Sequence, residues 1–321
     1  MFRIYLGIGV LTILLIVGCG KRESEKFYKI NFGVDIATIA AAPVYIAESK
    51  GFWTQNSLEV TIQPFVSGRF ALDALIGKAV EAATVADVPV VLAAYQRHPV
   101  RIVATFSNSE KHINMLARKD KGIHKPEDLK GKKVAVTVGT NGEFVMDLFL
   151  ERYRIKRSEL RVVSLSPPDM VPAIIEGKVD AIFTWQPHIY NAQKKLADNA
   201  LVVSTLGIYS QPFNVVVLED LLIGGKEKLE RLLKGLNAAE KFIKTNRTES
   251  IEIVAKQIGV ENATIENIWD AYTFEIGIDS SLVELLEEEG KWAKRAGIVQ
   301  QDNKEPEYGK LVYKQILLNV E

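Results

Sequence analysis

Apolar residues recur along this chain in two alternating rhythms, short runs with a period of two and longer stretches with a period of 3.6, the first marking strands and the second helices. Residues 29–34 set Ile30, Phe32 and Val34 on one face, which predicts a strand. A helix is expected over 43–49, since Pro43 suits a first helical turn and Gly51 can close the end in the left-handed conformation. Phe52 and Trp53 then fall beneath that helix end as packing residues. Residues 58–64 alternate Leu58, Val60 and Ile62 as a second strand, and Ser67 can cap a helix that stops at Gly77. Further strands are expected at 82–85, 101–106, 114–118, 133–138, 161–164, 180–184 and 213–218, and amphipathic helices at 226–245, 248–257 and 282–296. Strands alternating with helices predict an α/β fold, its sheets mixed but mostly parallel, with crossover helices.

One pattern occurs twice. Residues 74–84 read ALIGKAVEAAT and residues 173–184 read AIIEGKVDAIFT. In both, a helix ends in Gly-Lys and is followed by an acid, an alanine and a buried strand. Two related α/β lobes about a hundred residues apart follow from such a repeat. Ligands of open α/β sheets bind beyond the carboxyl ends of the strands, so two facing lobes place one site in the cleft between them.

The N-terminus has a different character. Met1, Phe2 and Arg3 precede an uncharged apolar run from Ile4 to Val17, shorter than the roughly 20 residues of a spanning helix but suited to a secretory signal. The run ends in Ile16-Val17-Gly18-Cys19, which resembles a bacterial lipobox, so residues 1–18 are expected to be a signal peptide and Cys19 the lipidated first residue of the mature chain. Residues 19–26 are polar and would form a tether. Cys19 is the only cysteine, so the mature fold must rest on its core and hydrogen bonds. The 40 basic residues balance 40 acidic ones, without the basic excess of a nucleic-acid binder.

Four segments together resemble a known family: 43–53 (PVYIAESKGFW), 66–74 (VSGRFALDA), 128–138 (DLKGKKVAVTV) with Gly139-Thr140-Asn141 after it, and 177–188 (GKVDAIFTWQPH). The chain is similar, from about residue 28 to 300, to the type II periplasmic-binding-protein-like group that contains the binding proteins for aliphatic sulfonates, taurine, nitrate and thiamine pyrimidine precursors. The resemblance implies a two-lobed fold, with lobe one over 27–107 and 212–321 and lobe two over 108–211. It also implies capture of a small-molecule solute and docking on a membrane permease driven by a separate ATPase, with the membrane held through the lipid on Cys19. Some relatives make a thiamine pyrimidine using a cysteine-rich segment, which this chain lacks.

Candidate ligand-binding residues lie where strands end and helices begin. Asp35, with Ile36, Ala37 and Thr38, follows the first strand. Ser67, Gly68 and Arg69 open a helix whose free N–H groups and dipole favour an anionic group, and Arg69 can add a charge-assisted fork. Gly139, Thr140 and Asn141 offer a similar donor cluster in the second lobe. Thr140 to Glu143 also reads as a capping box, and a carboxylate at Glu143 would repel an anion unless turned away. Trp185 and Gln186 follow the strand at 180–184; the indole offers a flat wall and the amide both donates and accepts. In many relatives an acid stands where Gln186 does. Asp87, Ser107 and Asn108 complete the set.

The four histidines, His98, His112, His124 and His188, show no metal-ligand spacing and no partner nucleophile, and no phosphate-binding loop is present. No cofactor is expected. The expectation is therefore a non-enzymatic solute-binding lipoprotein for a small organic or oxo-anion. The alternatives are a heteroaromatic solute such as a pyrimidine, a ligand-sensing domain for a signalling partner, and an enzyme on the same fold.

Overall fold

The computed structural model describes residues 26–36 and 38–320. The expected signal segment, Cys19, nearly all of the tether and Ala37 lie outside the described residues. Ten strands form: β1 (Tyr28–Asp35), β2 (Leu58–Phe65), β3 (Ala82–Ala86), β4 (Val100–Ser109), β5 (Ile113–Arg118), β6 (Lys133–Val136), β7 (Arg161–Ser164), β8 (Ala181–Trp185), β9 (Ala200–Ser204) and β10 (Gln211–Leu218). They make two five-stranded sheets, ordered β2-β1-β3-β10-β4 and β7-β6-β8-β5-β9. In the first, β1 runs parallel to β2 and β3 while β10 is antiparallel to β3 and β4. In the second, β6 runs parallel to β7 and β8 while β5 is antiparallel to β8 and β9.

The two sheets therefore share one plan, the outcome the repeated sequence pattern leads one to expect. The helices Gly68–Ile76 and Pro167–Ile175 each lead into the middle strand of their sheet, β3 and β8. Each sheet is covered on both faces, by cores around Phe32 and Leu75 in the first and around Phe149 and Ile182 in the second. The chain passes from the first sheet to the second between β4 and β5, and back between β9 and β10.

Local signals work as expected at several ends. Pro43 lies in the first turn of the helix Ala42–Ser49, and Gly51 follows it at φ +66°. Trp53 packs over Gly235 in the helix Lys226–Thr245 and donates its indole N–H to the Leu232 carbonyl at 3.0 Å. The strand expected at 133–138 stops at Val136, where Thr137 turns its hydroxyl back to the Leu165 carbonyl at 2.8 Å and Gly139 takes φ +74°. Edge strand β9 was not expected from the sequence. Its Ala-Leu-Val-Val-Ser segment is half-buried on both faces and lacks the alternation that marks β2.

Candidate functional site

The carboxyl ends of the parallel strands in both sheets open onto one cavity. As it stands the cavity is narrow, with about 30 Å³ of free volume, room for about two waters, so a solute must enter with the halves apart. Asp35, Thr38, Ser67, Gly68 and Arg69 line it from the first half, and Thr140, Asn141 and Trp185 from the second. A wider groove of about 890 Å³ runs along the connecting segments between Tyr209 and Arg295 and takes Asn108 near the end of β4 and Pro212 near the start of β10, but no end of a strand from the second sheet.

At the two helix starts, four of the donors that the sequence reading assigned to a ligand are taken by the protein. Gly68 N–H donates to Asp35 Oδ2 at 3.2 Å and Arg69 N–H to Ser67 Oγ at 3.3 Å. Across the cavity, Gly139 N–H donates to Glu143 Oε2 at 2.8 Å and Gly142 N–H to Thr140 Oγ1 at 3.2 Å. Glu143 is buried and takes Arg157 at its other oxygen, so its charge is turned away from the cavity and neutralised. The guanidinium of Arg69 reaches the second half and donates from one terminal nitrogen to the Val138 carbonyl.

Five further expected positions stand elsewhere. Gly139 lines a separate hollow beside Arg69. Gln186 accepts the Tyr190 N–H at 3.1 Å, capping the helix His188–Leu196. Asn108 pairs its backbone with Thr273 and borders the wide groove. Ser107 is wholly buried between the strands, and Asp87 is wholly buried behind the wall. Asp87 accepts hydrogen bonds from Asn141 Nδ2 and from the Tyr209 hydroxyl, the latter at 2.6 Å to Oδ2. Burial holds the Asp87 carboxyl above its ordinary range, and burial beside Asp87 pushes Glu289 well above its own.

The sequence reading missed the aromatic and polar members Phe106, His112, Gln211 and Phe213 of the wall, as well as Ala41, Pro89 and the β3 residues Thr84, Val85 and Ala86. His112 stacks on Trp185 with ring centroids 5.9 Å apart and an interplanar angle of 20°, and its Nδ1 lies 2.7 Å from the Tyr272 hydroxyl. Phe213 meets the imidazole edge-on at 4.9 Å. The wall is thus largely flat and apolar. Three buried polar atoms of lining residues have no hydrogen-bond partner in the protein: Asn141 Oδ1, Gln211 Oε1 and Trp185 Nε1. Buried polar groups are ordinarily satisfied, so such a cluster is the mark of a binding surface.

Burial, with the neighbouring His188 second, lowers His112 from its ordinary 6.5 to about 3, and burial lowers His188 to about 4. Both rings are neutral in the folded protein near neutral pH. The unfolded chain takes up these protons first on acidification, so stability is full above about pH 6.5 and falls as pH drops toward the folded values. Asp87 and Glu289 act in the opposite sense, because they hold protons more tightly when folded. His112→Gln is therefore expected to flatten the acid limb of the stability curve by up to about 1.4 kcal/mol per pH unit between about pH 6 and pH 4. Urea unfolding of both proteins across that interval measures the difference; parallel curves would mean His112 is protonated in the fold.

Comparison with known proteins agrees with this architecture. The alkanesulfonate-binding protein SsuA from Xanthomonas axonopodis pv. citri, solved bound to MOPS, superposes with a TM-score of 0.80 at 16% identity, covering 90% of this chain and 99% of that one. The periplasmic nitrate-binding protein NrtA from Synechocystis PCC 6803 superposes with a TM-score of 0.73 at 15% identity, over 92% and 88% of the two chains. At these identities the likeness shows the fold, that of the periplasmic binding proteins. In sequence, the taurine-binding periplasmic protein of Escherichia coli is 27% identical over 157 residues, covering 49% of this chain and 48% of that protein. The NMT1/THI5 like family matches residues 38–250, from Thr38 just after β1 into the helix Arg247–Ile258, and the chain belongs to that family.

Proposed function

We propose that this chain is the extracytoplasmic solute-binding component of an ABC importer, which captures a small organic molecule between its two halves and delivers it to a membrane permease with a separate ATPase. The observation that carries the proposal is the cavity itself. Strand ends of both sheets meet there around Trp185, His112, Phe106 and Phe213, with unpartnered polar atoms among them. Contacts made by both halves exist only when the cleft is closed, so a bound solute favours the closed state. Lobe one over 27–107 and 212–321 and lobe two over 108–211 would move as the two bodies, turning about the segments that join the sheets. Binding proteins for taurine, sulfonates and nitrate among the relatives support a small organic or oxo-anion as the solute.

A second reading of the solute, a heteroaromatic such as a pyrimidine, has a specific observation in its favour. Four of the helix-start donors that would cradle an oxo-anion, those of Gly68, Arg69, Gly139 and Gly142, are already taken by Asp35, Ser67, Glu143 and Thr140. A thermal-shift screen with sulfonates, taurine, nitrate, bicarbonate, pyrimidines and aromatic acids tests both readings. A solute at a hundred times its dissociation constant stabilises by roughly 2.7 kcal/mol, an easily seen rise in midpoint. No shift with any class would count against solute capture.

The anchor is tested separately. Cys19→Ser is expected to move the protein from the membrane fraction to the soluble fraction and to abolish incorporation of a radiolabelled fatty acid, because acyl chains contribute roughly 0.8 kcal/mol per buried methylene. Retained label in the variant would place the lipid elsewhere.

A further inference from the structure

We infer that Asn141 reads a hydrogen-bond donor on the solute, and that Asp87 and Tyr209 are positioning residues that fix its amide with the carbonyl oxygen as the reading atom. The inference rests on the solute-capture reading and names the chemistry that reading leaves open. Asn141 is the first residue of the helix Asn141–Arg152 and lines the cavity, 3% exposed. Its Nδ2 donates to Asp87 Oδ1 and, at 2.6 Å, to the Tyr209 hydroxyl oxygen. The Tyr209 hydroxyl in turn donates to Asp87. Neither Asp87 nor Tyr209 lines the cavity, so the two ends of the amide are divided between this network and the cavity wall.

The orientation is held by two hydrogen bonds. Turning the amide over would set its carbonyl oxygen against Asp87 Oδ1 and break both bonds that Nδ2 makes, to Asp87 and to the Tyr209 hydroxyl. The side chain of Asn141 therefore presents an acceptor to the cavity. Its Oδ1 is buried without a partner, as is the Gln211 Oε1 on the same wall. An acceptor held in this way rewards an N–H or O–H group and penalises a sulfonate, nitrate or carboxylate oxygen placed against it. The lock also spans the fold. Asp87 opens the helix after β3 of the first sheet, Asn141 opens the helix after β6 of the second, and Tyr209 lies on the segment that joins β9 to β10. The reading atom is thus set only when the two halves are together.

Three probes of one shape isolate the head group: benzamide, acetophenone and benzoate, which carry NH2, CH3 and O− on the same flat frame. Calorimetric titration of the intact protein is expected to rank benzamide about tenfold tighter than either of the others, the size of one well-placed hydrogen bond against a loss of the donor. In Asn141→Ala the preference should fall to about one. In Asp87→Asn an amide replaces the carboxylate, either orientation of Asn141 becomes tolerable, and the preference should shrink several-fold even where acetophenone binds as before. A purely structural role for Asp87 would instead weaken all probes alike, and circular dichroism verifies that each variant is folded. Equal affinities, a preference for benzoate, or no binding of any of the three by the folded protein overturns the inference. A midpoint rise with a sulfonate in the separate screen would then still leave solute capture standing.

Discussion

Trp185→Ala is expected to weaken solute binding by about 2 kcal/mol or more, roughly thirtyfold, the scale of losing a buried aromatic anchor at the centre of a site. Trp185 ends β8 at 5% exposure, packs against Ile113 and Val145, and stacks on His112. Its truncation removes the flat wall and also leaves the imidazole without its neighbour. Trp185→Phe separates two contributions. The wall remains while the unpartnered Nε1 donor is lost, so the affinity should fall by only about fivefold if that donor meets the solute. Calorimetry on folded variants measures both. An unchanged affinity in Trp185→Ala would remove the residue from the site and leave its burial as core packing.

The partly filled helix starts bear on the same site. An anion-binding protein of this architecture would be expected to leave some helix N–H groups for its ligand. Here four such donors, those of Gly68, Arg69, Gly139 and Gly142, are satisfied by side chains at the same two helix starts and by Asp35. Among the buried side-chain atoms of the cavity wall, those left unpaired are two acceptor oxygens and one indole donor. The balance of unmatched groups, more than the presence of Arg69, is what a solute must complement.

How much of this was legible beforehand depended on whether the cause was local. Caps such as Ser67 and Thr140, the glycine turn at Gly51 and the apolar faces of β1 and of the helix Lys226–Thr245 depend on neighbours within a few residues, so pattern reading reached them. The paired Gly-Lys motifs exposed the duplicated sheet plan for the same reason. Partners far along the chain left no such trace. Nothing near Arg69 announces the Val138 carbonyl, and nothing near Gln186 distinguishes a helix cap from a wall. Three of the missed wall residues have a shared cause. Beside parallel strands that end at the cavity, an antiparallel strand starts there, so His112 just before β5 and Gln211 and Phe213 at the start of β10 arrive from the opposite chain direction. At the end of β4 a register shift decides between neighbours: Phe213 and Asn214 of β10 pair with Ser107 and Thr105, and the skipped Phe106 faces the cavity, whereas Ser107 is buried within the sheet and Asn108 borders the wide groove.

Gly235→Ala is expected to destabilise the fold by about 3 kcal/mol, the upper part of the usual range for overpacking a core, although it adds only one methyl group. Alanine favours a helix interior over glycine by roughly 1 kcal/mol, so propensity alone predicts a gain. Packing opposes it with a larger effect. A Cβ at position 235 would stand 2.1 Å from Trp53 Cδ1 and 2.4 Å from its Nε1, well inside contact distance. The indole cannot easily yield, because it is 4% exposed, donates to the Leu232 carbonyl and meets Phe32 edge-on at 6.3 Å. Either the helix lifts from the sheet or the ring gives up its hydrogen bond. Combining the change with Trp53→Ala decides the cause. Trp53→Ala alone should cost about 3–5 kcal/mol, and Gly235→Ala added to it should be neutral or stabilising, since the clash has gone and only propensity remains. Urea unfolding of the four proteins in the cycle gives the coupling. Additive losses would mean that the helix Lys226–Thr245 already stands clear of Trp53, and that the close approach of glycine to indole does not hold it to the first sheet.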